Sequence, residues 1–188
     1  YPGSPEFARQ LLRPQDALRL FELHPADVRT LAAHHAARPH TEVHHEDGFE
    51  GLKAQLPPPS RRAVLLIDPS YELKTDYAKV LAAVREALRR FAECVVIVWY
   101  PQVNRLEAAQ LPKRLCNLAQ GPTIKGWLHA RLTVQPLDAQ GFGLAGSGVV
   151  VINPPWTLHA ALQEALPWLS KRLAQYPGAN HLLEQRAA

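Results

Sequence analysis

Ala63-Val64-Leu65-Leu66-Ile67-Asp68-Pro69-Ser70-Tyr71 is a continuous apolar run that stops abruptly at an acid, a proline, a serine and an aromatic. A short run without alternation suits a strand covered on both faces, so this strand is expected at the centre of a sheet. Tyr77, Val80, Leu81, Val84, Leu88 and Phe91 then recur at helical spacing, with Arg85, Glu86 and Arg89 on the opposite face, which predicts an amphipathic helix. Val95 to Trp99 reads as the next strand. Strand, helix and strand in this order are the unit of an α/β fold with a largely parallel sheet.

Working outward, the turn-like Tyr1-Pro2-Gly3-Ser4-Pro5 leads into a short helix (Phe7 to Leu12), a strand (Ala17 to Leu23) and a helix (Pro25 to Ala37). A short strand, Thr41 to His45, precedes Asp47-Gly48. Downstream, a helix near Arg105 to Leu118 is expected to be disturbed by Pro112. Between Ile124 and Val134, Leu128, Ala130, Leu132 and Val134 alternate with Trp127, His129, Arg131 and Thr133, as in a half-covered strand. Gly148 to Ile152 follows the glycine-rich loop Gly141 to Gly148 and is expected to pair with that strand as a long hairpin, giving the sheet an antiparallel edge. A last helix, Leu158 to Leu173 with a kink at Pro167, completes a single domain over residues 1–188.

The bulk properties narrow the classes. No stretch approaches the roughly 18 to 20 uninterrupted apolar residues of a membrane helix, and YPGSPEFARQ lacks a basic-then-apolar signal pattern, so a cytoplasmic protein is expected. Cys94 and Cys116 make neither a metal nor a disulfide framework. The nine histidines include His34-His35 and His44-His45, but without HExxH or comparable ligand spacing, and no metal is expected. A formal charge of +4 favours a polyanionic partner. The absence of methionine leads us to expect that the sequence begins inside a longer protein.

Ligands of such sheets bind at the carboxyl ends of the strands, which is where Asp68 falls. An acid, a proline and an aromatic at that place suit methylation of an adenine N6 amine, a poor nucleophile whose lone pair is delocalised into the ring. The Asp68 carboxylate and the Pro69 carbonyl would accept both amino hydrogens and so localise the lone pair toward a methyl sulfonium, while Tyr71 would stack on an unstacked base. Asp-Pro-Ser is also an ordinary turn, and on the tetrapeptide alone that is the commoner meaning. Asn153-Pro154-Pro155-Trp156 follows an apolar strand too and fits the (Asp/Asn)-Pro-Pro-aromatic pattern more literally. Asp68 is preferred because it follows two acidic strand ends, Glu22 and Asp47, whereas Asn153 is expected at or near the sheet edge. Glu22 stands where a carboxylate accepts hydrogen bonds from ribose hydroxyls. Asp47 could accept one from a cofactor's adenine amine, with Gly48 allowing close approach. Singly, each of these acids is more often an exposed strand-end residue.

Tyr1-Pro2-Gly3-Ser4-Pro5, Ala8-Arg9-Gln10-Leu11-Leu12-Arg13, Glu22-Leu23-His24-Pro25, Asp47-Gly48-Phe49, Ile67-Asp68-Pro69, Lys74-Thr75-Asp76-Tyr77, Trp99-Tyr100-Pro101 and Val151-Ile152-Asn153-Pro154-Pro155-Trp156 run through nearly the whole chain. In this series the chain resembles the RlmJ family, which methylates an adenine N6 of 23S ribosomal RNA and was earlier named for catabolism of external DNA. The resemblance implies a Rossmann-like class I methyltransferase fold using S-adenosylmethionine as co-substrate, with a mostly parallel sheet and an antiparallel C-terminal hairpin. It implies that Ser4, Glu22, Asp47 and Gly48 contact S-adenosylmethionine, that the catalytic tetrapeptide is Asp68, Pro69, Ser70 and Tyr71, and that Asn153-Pro154-Pro155-Trp156 is not the active site. Ser70 stands where the family has a second proline, which loosens a rigid turn.

The family's first, central strand with its glycine-rich cofactor loop has no counterpart in these residues, so this 188-residue stretch alone is expected to bind S-adenosylmethionine weakly or not at all. The implied partner is 23S ribosomal RNA, and a monomer is expected. The alternatives are the same chemistry on DNA adenine and an inactive nucleic-acid-binding remnant linked to external DNA use. Arg61-Arg62, Lys53 and Lys113-Arg114 are more simply solvated charges than an RNA groove, and the loop Asp138 to Ser147 is a candidate RNA contact.

Overall fold

The computed structural model describes residues 3–35, 37–137 and 143–187. The chain divides into two compact units, Tyr1–Gln55 and Leu56–Ala188.

The first unit contains α1 (Ser4–Leu11), β1 (Leu18–Phe21), α2 (Pro25–His35), β2 (Thr41–His44) and α3 (Gly48–Gln55). β1 and β2 pair in parallel, with Leu18 opposite Thr41 and Phe21 opposite His44. The Phe21 and His44 rings stack with centroids 4.7 Å apart. α3 lies so close to β1 that a Cβ on Gly51 would stand 2.2 Å from the Phe21 ring. This helix was not expected from the apolar pattern. Its signal is Asp47-Gly48-Phe49-Glu50, an acidic cap with glutamate three residues on.

The second unit contains β3 (Val64–Ile67), α4 (Lys74–Arg90), β4 (Val95–Gln102), α5 (Leu106–Leu118), β5 (Gly126–Thr133), β6 (Gly146–Ile152), α6 (Leu158–Leu173) and β7 (Asn180–Ala187). α4 buries Tyr77, Val80, Leu81, Val84 and Leu88, the face its spacing foretold, and leaves Arg85 and Arg89 exposed. α5 runs through Pro112 and α6 through Pro167. Val96 and Val98 of β4, Leu128 of β5, Val150 and Ile152 of β6 and Leu111 and Leu115 of α5 are fully buried. Each such side chain contributes about 1.5–3 kcal/mol through burial. Leu128, Ala130 and Val151 pack with Leu166 of α6 in a cluster joined by Leu158, Leu162 and Leu183.

The sheet differs from the expected one in four respects. Its order is β3-β4-β6-β5-β7, and only β3 and β4 run parallel, so it is mixed and not mostly parallel. The unexpected member is β7, whose sequence Asn180-His181-Leu182-Leu183-Glu184-Gln185-Arg186-Ala187 has neither alternation nor an apolar run. As an outer strand it needs neither, and its polar side chains blunt the edge.

Among the described residues β3 pairs only with β4 and is an edge strand, not a central one; Val64 and Leu66 are 69% and 45% exposed while Ile67 is buried. An apolar run states what a strand is able to bury, not how many neighbours it meets. The hairpin of β5 and β6 does form, with Trp127 opposite Ile152 and Thr133 opposite Gly146. It is not the edge, because β4 pairs with the other side of β6 and β7 with the other side of β5.

Candidate active site

The two Asp/Asn-Pro-x-aromatic turns lie at opposite ends of the sheet in the second unit. β3 and β4 are parallel with Ile67 opposite Val98, so Asp68 leaves the sheet beside Trp99, heading toward the carboxyl end of β4. β6 runs antiparallel to β4 with Ile152 opposite Val96, so Asn153 leaves beside the amino end of β4. The expectation that Asn153 sits near the sheet edge is thus corrected. It ends an interior strand, at the end away from Asp68.

Asp68 and Ser70 are exposed and Pro69 is half-buried. Crowding by neighbouring atoms pushes the Asp68 carboxyl above the usual aspartate range, with no charged or hydrogen-bonding neighbour to offset it. Its oxygens are therefore free acceptors among the described residues. Tyr71 differs from its expected use. It is only 3% exposed, its hydroxyl donates to the Trp99 carbonyl at 2.6 Å, and its ring leans on Tyr77 with centroids 4.9 Å apart. A ring packed in this way offers no face to a base. Burial, with Asp68, Tyr77 and Asp76 nearby, pushes its pKa far up, so the hydroxyl stays a donor. Its φ is 55°, in the left-handed region, which costs a bulky residue about 1–3 kcal/mol and persists only where neighbours hold it.

Asn153 is the opposite case. Its Nδ2 donates to the Ala92 carbonyl at 2.8 Å and the Cys94 carbonyl at 2.7 Å, and the Lys125 amide donates to its Oδ1 at 2.8 Å. It is 4% exposed with φ of 56°, a conformation asparagine tolerates. Both amide hydrogens and one lone pair of Oδ1 are spent on backbone, and burial shields the other lone pair from a substrate amine. Trp156, three residues on, is 91% exposed.

In the first unit, Glu22 follows β1 and Asp47 follows β2, at the carboxyl ends of two parallel neighbours. Glu22 Oε1 accepts the His24 amide at 2.7 Å, and Asp47 Oδ1 accepts the Phe49 amide at 2.9 Å, capping α3. Among the described residues the other oxygen of each carboxylate has no hydrogen-bond partner. Gly48 has a reason of its own to lack a side chain, since a Cβ there would stand 3.2 Å from Phe21. Ser4 is the exposed first residue of α1.

The described residues contain no group of three or more His, Cys, Asp or Glu fit to hold a metal ion. Burial pushes both cysteine thiols up to about 11, so neither is a ready nucleophile at neutral pH. No helix among the described residues is long and apolar enough to cross a membrane. Residues 138–142 of the loop expected to touch RNA lie outside the described residues, as do Tyr1 and Pro2 of the first turn.

A family model described as "RsmJ: Ribosomal RNA large subunit methyltransferase D, RlmJ" matches residues 1–183. The chain belongs to this family. Ribosomal RNA large subunit methyltransferase J of Escherichia coli is 44% identical over 181 residues, which are 96% of this chain and 62% of that protein. The protein of the same name from Haemophilus influenzae is 43% identical over 173 residues, 92% of this chain and 60% of that one. The crystal structure of a Legionella pneumophila protein superposes with a TM-score of 0.84 at 34% identity, covering 98% of this chain and 66% of that one. This RlmJ-family chain thus spans about three-fifths of the length of its curated relatives.

Neither the committed amide of Asn153 nor the burial of Tyr71 could be read from one RlmJ-family sequence, because the partners lie far along the chain: Ala92, Cys94 and Lys125 for the one, Trp99 for the other.

Proposed function

We propose that the protein containing this chain transfers a methyl group from S-adenosylmethionine to the N6 amine of an adenine in 23S ribosomal RNA. The observation that carries this is the Asp68-Pro69 turn: an unpaired carboxylate and an adjoining peptide carbonyl at the carboxyl end of β3, in a chain of the RlmJ family. Bound S-adenosylmethionine supplies an electrophilic methyl sulfonium. Asp68 accepts one amino hydrogen of the adenine and the Pro69 carbonyl accepts the other, so the nitrogen lone pair is directed out of ring conjugation. Ser70 spaces the turn, and Tyr71 supports it from beneath. Ser4, the open carboxylate oxygens of Glu22 and Asp47, and the backbone at Gly48 are assigned to holding the co-substrate, with no metal.

We further infer that the fold is the Rossmann-like class I methyltransferase fold, in one domain, without its first central strand. The free edge of β3 and its exposed Val64 and Leu66 support this. The formal charge of +4 agrees with an RNA partner.

The experiment compares transfer of labelled methyl by the full-length protein to protein-free 23S ribosomal RNA and to duplex DNA containing adenine. Transfer to the RNA with none to the DNA is expected. Transfer to the DNA alone would shift the assignment to DNA adenine, and transfer to neither would leave a non-catalytic protein.

A further inference from the structure

The turn that carries Asp68 is held before the acid by the pairing of β3 with β4 and beyond it by side-chain contacts. Among the described residues the Asp68 carboxylate has no hydrogen-bonding partner, and Ser70 has no ring to fix its backbone, so with β3 fixed the position of the acid follows from how the chain is held just beyond it. Three contacts hold it there. The Tyr71 hydroxyl is bonded to Trp99, and Asp76 Oδ2 accepts the Leu73 amide at 3.3 Å. The third comes from the segment between β4 and α5: Arg105, the cap residue before α5, sends Nη1 to the Tyr71 and Glu72 carbonyls, at 3.0 Å each.

The third contact is of a different kind from the others. Two successive carbonyls directed at one point make a small acceptor cradle, and a guanidinium, always protonated, binds it with charge-assisted hydrogen bonds. The cradle exists because Tyr71 is held at φ of 55°. Without the cation, the two carbonyls face each other's partial charge and the strained residue is free to relax toward ordinary φ. Relaxation there moves the backbone three residues from the acid, and among the described residues no bond to the Asp68 side chain resists it.

We propose that Arg105 is a positioning residue for methyl transfer, fixing the Tyr71-Glu72 backbone so that the Asp68 carboxylate and Pro69 carbonyl stand where an exocyclic amine is gripped. It touches no reactant. The proposal rests on the assignment of Asp68 to the chemistry, and its test must separate the two.

The test uses full-length protein with Arg105→Ala, Arg105→Lys and Asp68→Ala, measuring kcat, KM for ribosomal RNA, Kd for S-adenosylmethionine and the melting midpoint. Arg105→Ala is expected to lower kcat about 10- to 100-fold, the scale of an ångström-sized misplacement. KM and Kd should stay within about 3-fold, because no binding contact is lost. The midpoint should barely move, since the Arg105 side chain is exposed. Arg105→Lys restores a cation without the fork and should recover part of the lost kcat. Wild-type kcat in Arg105→Ala beside an inactive Asp68→Ala overturns the positioning role alone, as does a change confined to KM. Undiminished turnover in Asp68→Ala overturns the assignment beneath it. If Arg105→Ala does not fold, Arg105→Lys and Arg105→Gln take its place, and wild-type kcat in both is the overturning result.

Discussion

Replacing Asn153 separates what the two similar turns do. Asparagine at this position bridges three backbone groups from distant segments, the Ala92 and Cys94 carbonyls and the Lys125 amide. Alanine removes all three bonds and leaves the groups in place. A part-buried group that water reaches loses about 1 kcal/mol, and a buried carbonyl left without a donor, as at Cys94, about 2. The loss is therefore about 4 kcal/mol for the side chain. Asn153 has φ of 56°, where alanine is disfavoured by about another 1 kcal/mol and glycine is not. Asn153→Gly should thus lose about 4 and Asn153→Ala about 5 kcal/mol. For a chain of this size that lowers the melting midpoint by about 2–4 °C per kcal/mol. Urea unfolding followed by circular dichroism measures the difference directly. The folded fraction of either variant should retain turnover, because Asn153 stands at the other end of the sheet from Asp68. A loss below about 1 kcal/mol in Asn153→Ala, or glycine worse than alanine, would refute the clamp.

Two further expectations concern pH. The Asp68 carboxyl is pushed up by its surroundings, and it must be ionised to accept the amine, so kcat/KM should rise with pH through an inflection above the usual aspartate range. A profile flat down to pH about 4, the ordinary aspartate value, contradicts that role. A folded pKa above the unfolded one also means that ionised Asp68 adds no stability, so Asp68→Asn should not lower the melting midpoint. His129 titrates the other way. Burial lowers its pKa against the pull of Glu184, with Arg131 adding to the lowering, and its Nε2 lies 2.7 Å from the Tyr100 hydroxyl. The folded state therefore holds neutral His129, and its contribution is present above the unfolded pKa of about 6.5 and lost as pH falls below it. His129→Gln should flatten the fall of stability between pH about 7 and 5, measured by urea midpoints. An unchanged slope would exclude His129 as its source.

How much of this was legible follows from where each signal resides. The face of α4 and the hairpin of β5 and β6 are local periodicities and could be read directly. The edge position of β3 could not, because Ala63 to Ile67 encodes apolarity alone, and whether a second strand meets the side of β3 away from β4 is not written in those residues. β7 was silent because a polar edge strand follows no pattern that differs from a tail. α3 was legible in principle from Asp47 and Glu50 but was masked by treating Asp47 solely as a ligand-binding acid. In the sequence, the rank of the two turns rests on Asp68 following the acidic strand ends Glu22 and Asp47. The structure supplies a physical ground, one polar head free and the other wholly engaged.

The central claim is that the free one performs the chemistry. The most direct measurement is single-turnover transfer of labelled methyl to 23S ribosomal RNA by full-length protein carrying Asp68→Ala, with Kd for S-adenosylmethionine determined on the same sample. The account predicts no transfer and a Kd within about 3-fold of the unaltered protein. Transfer at the unaltered rate would contradict it.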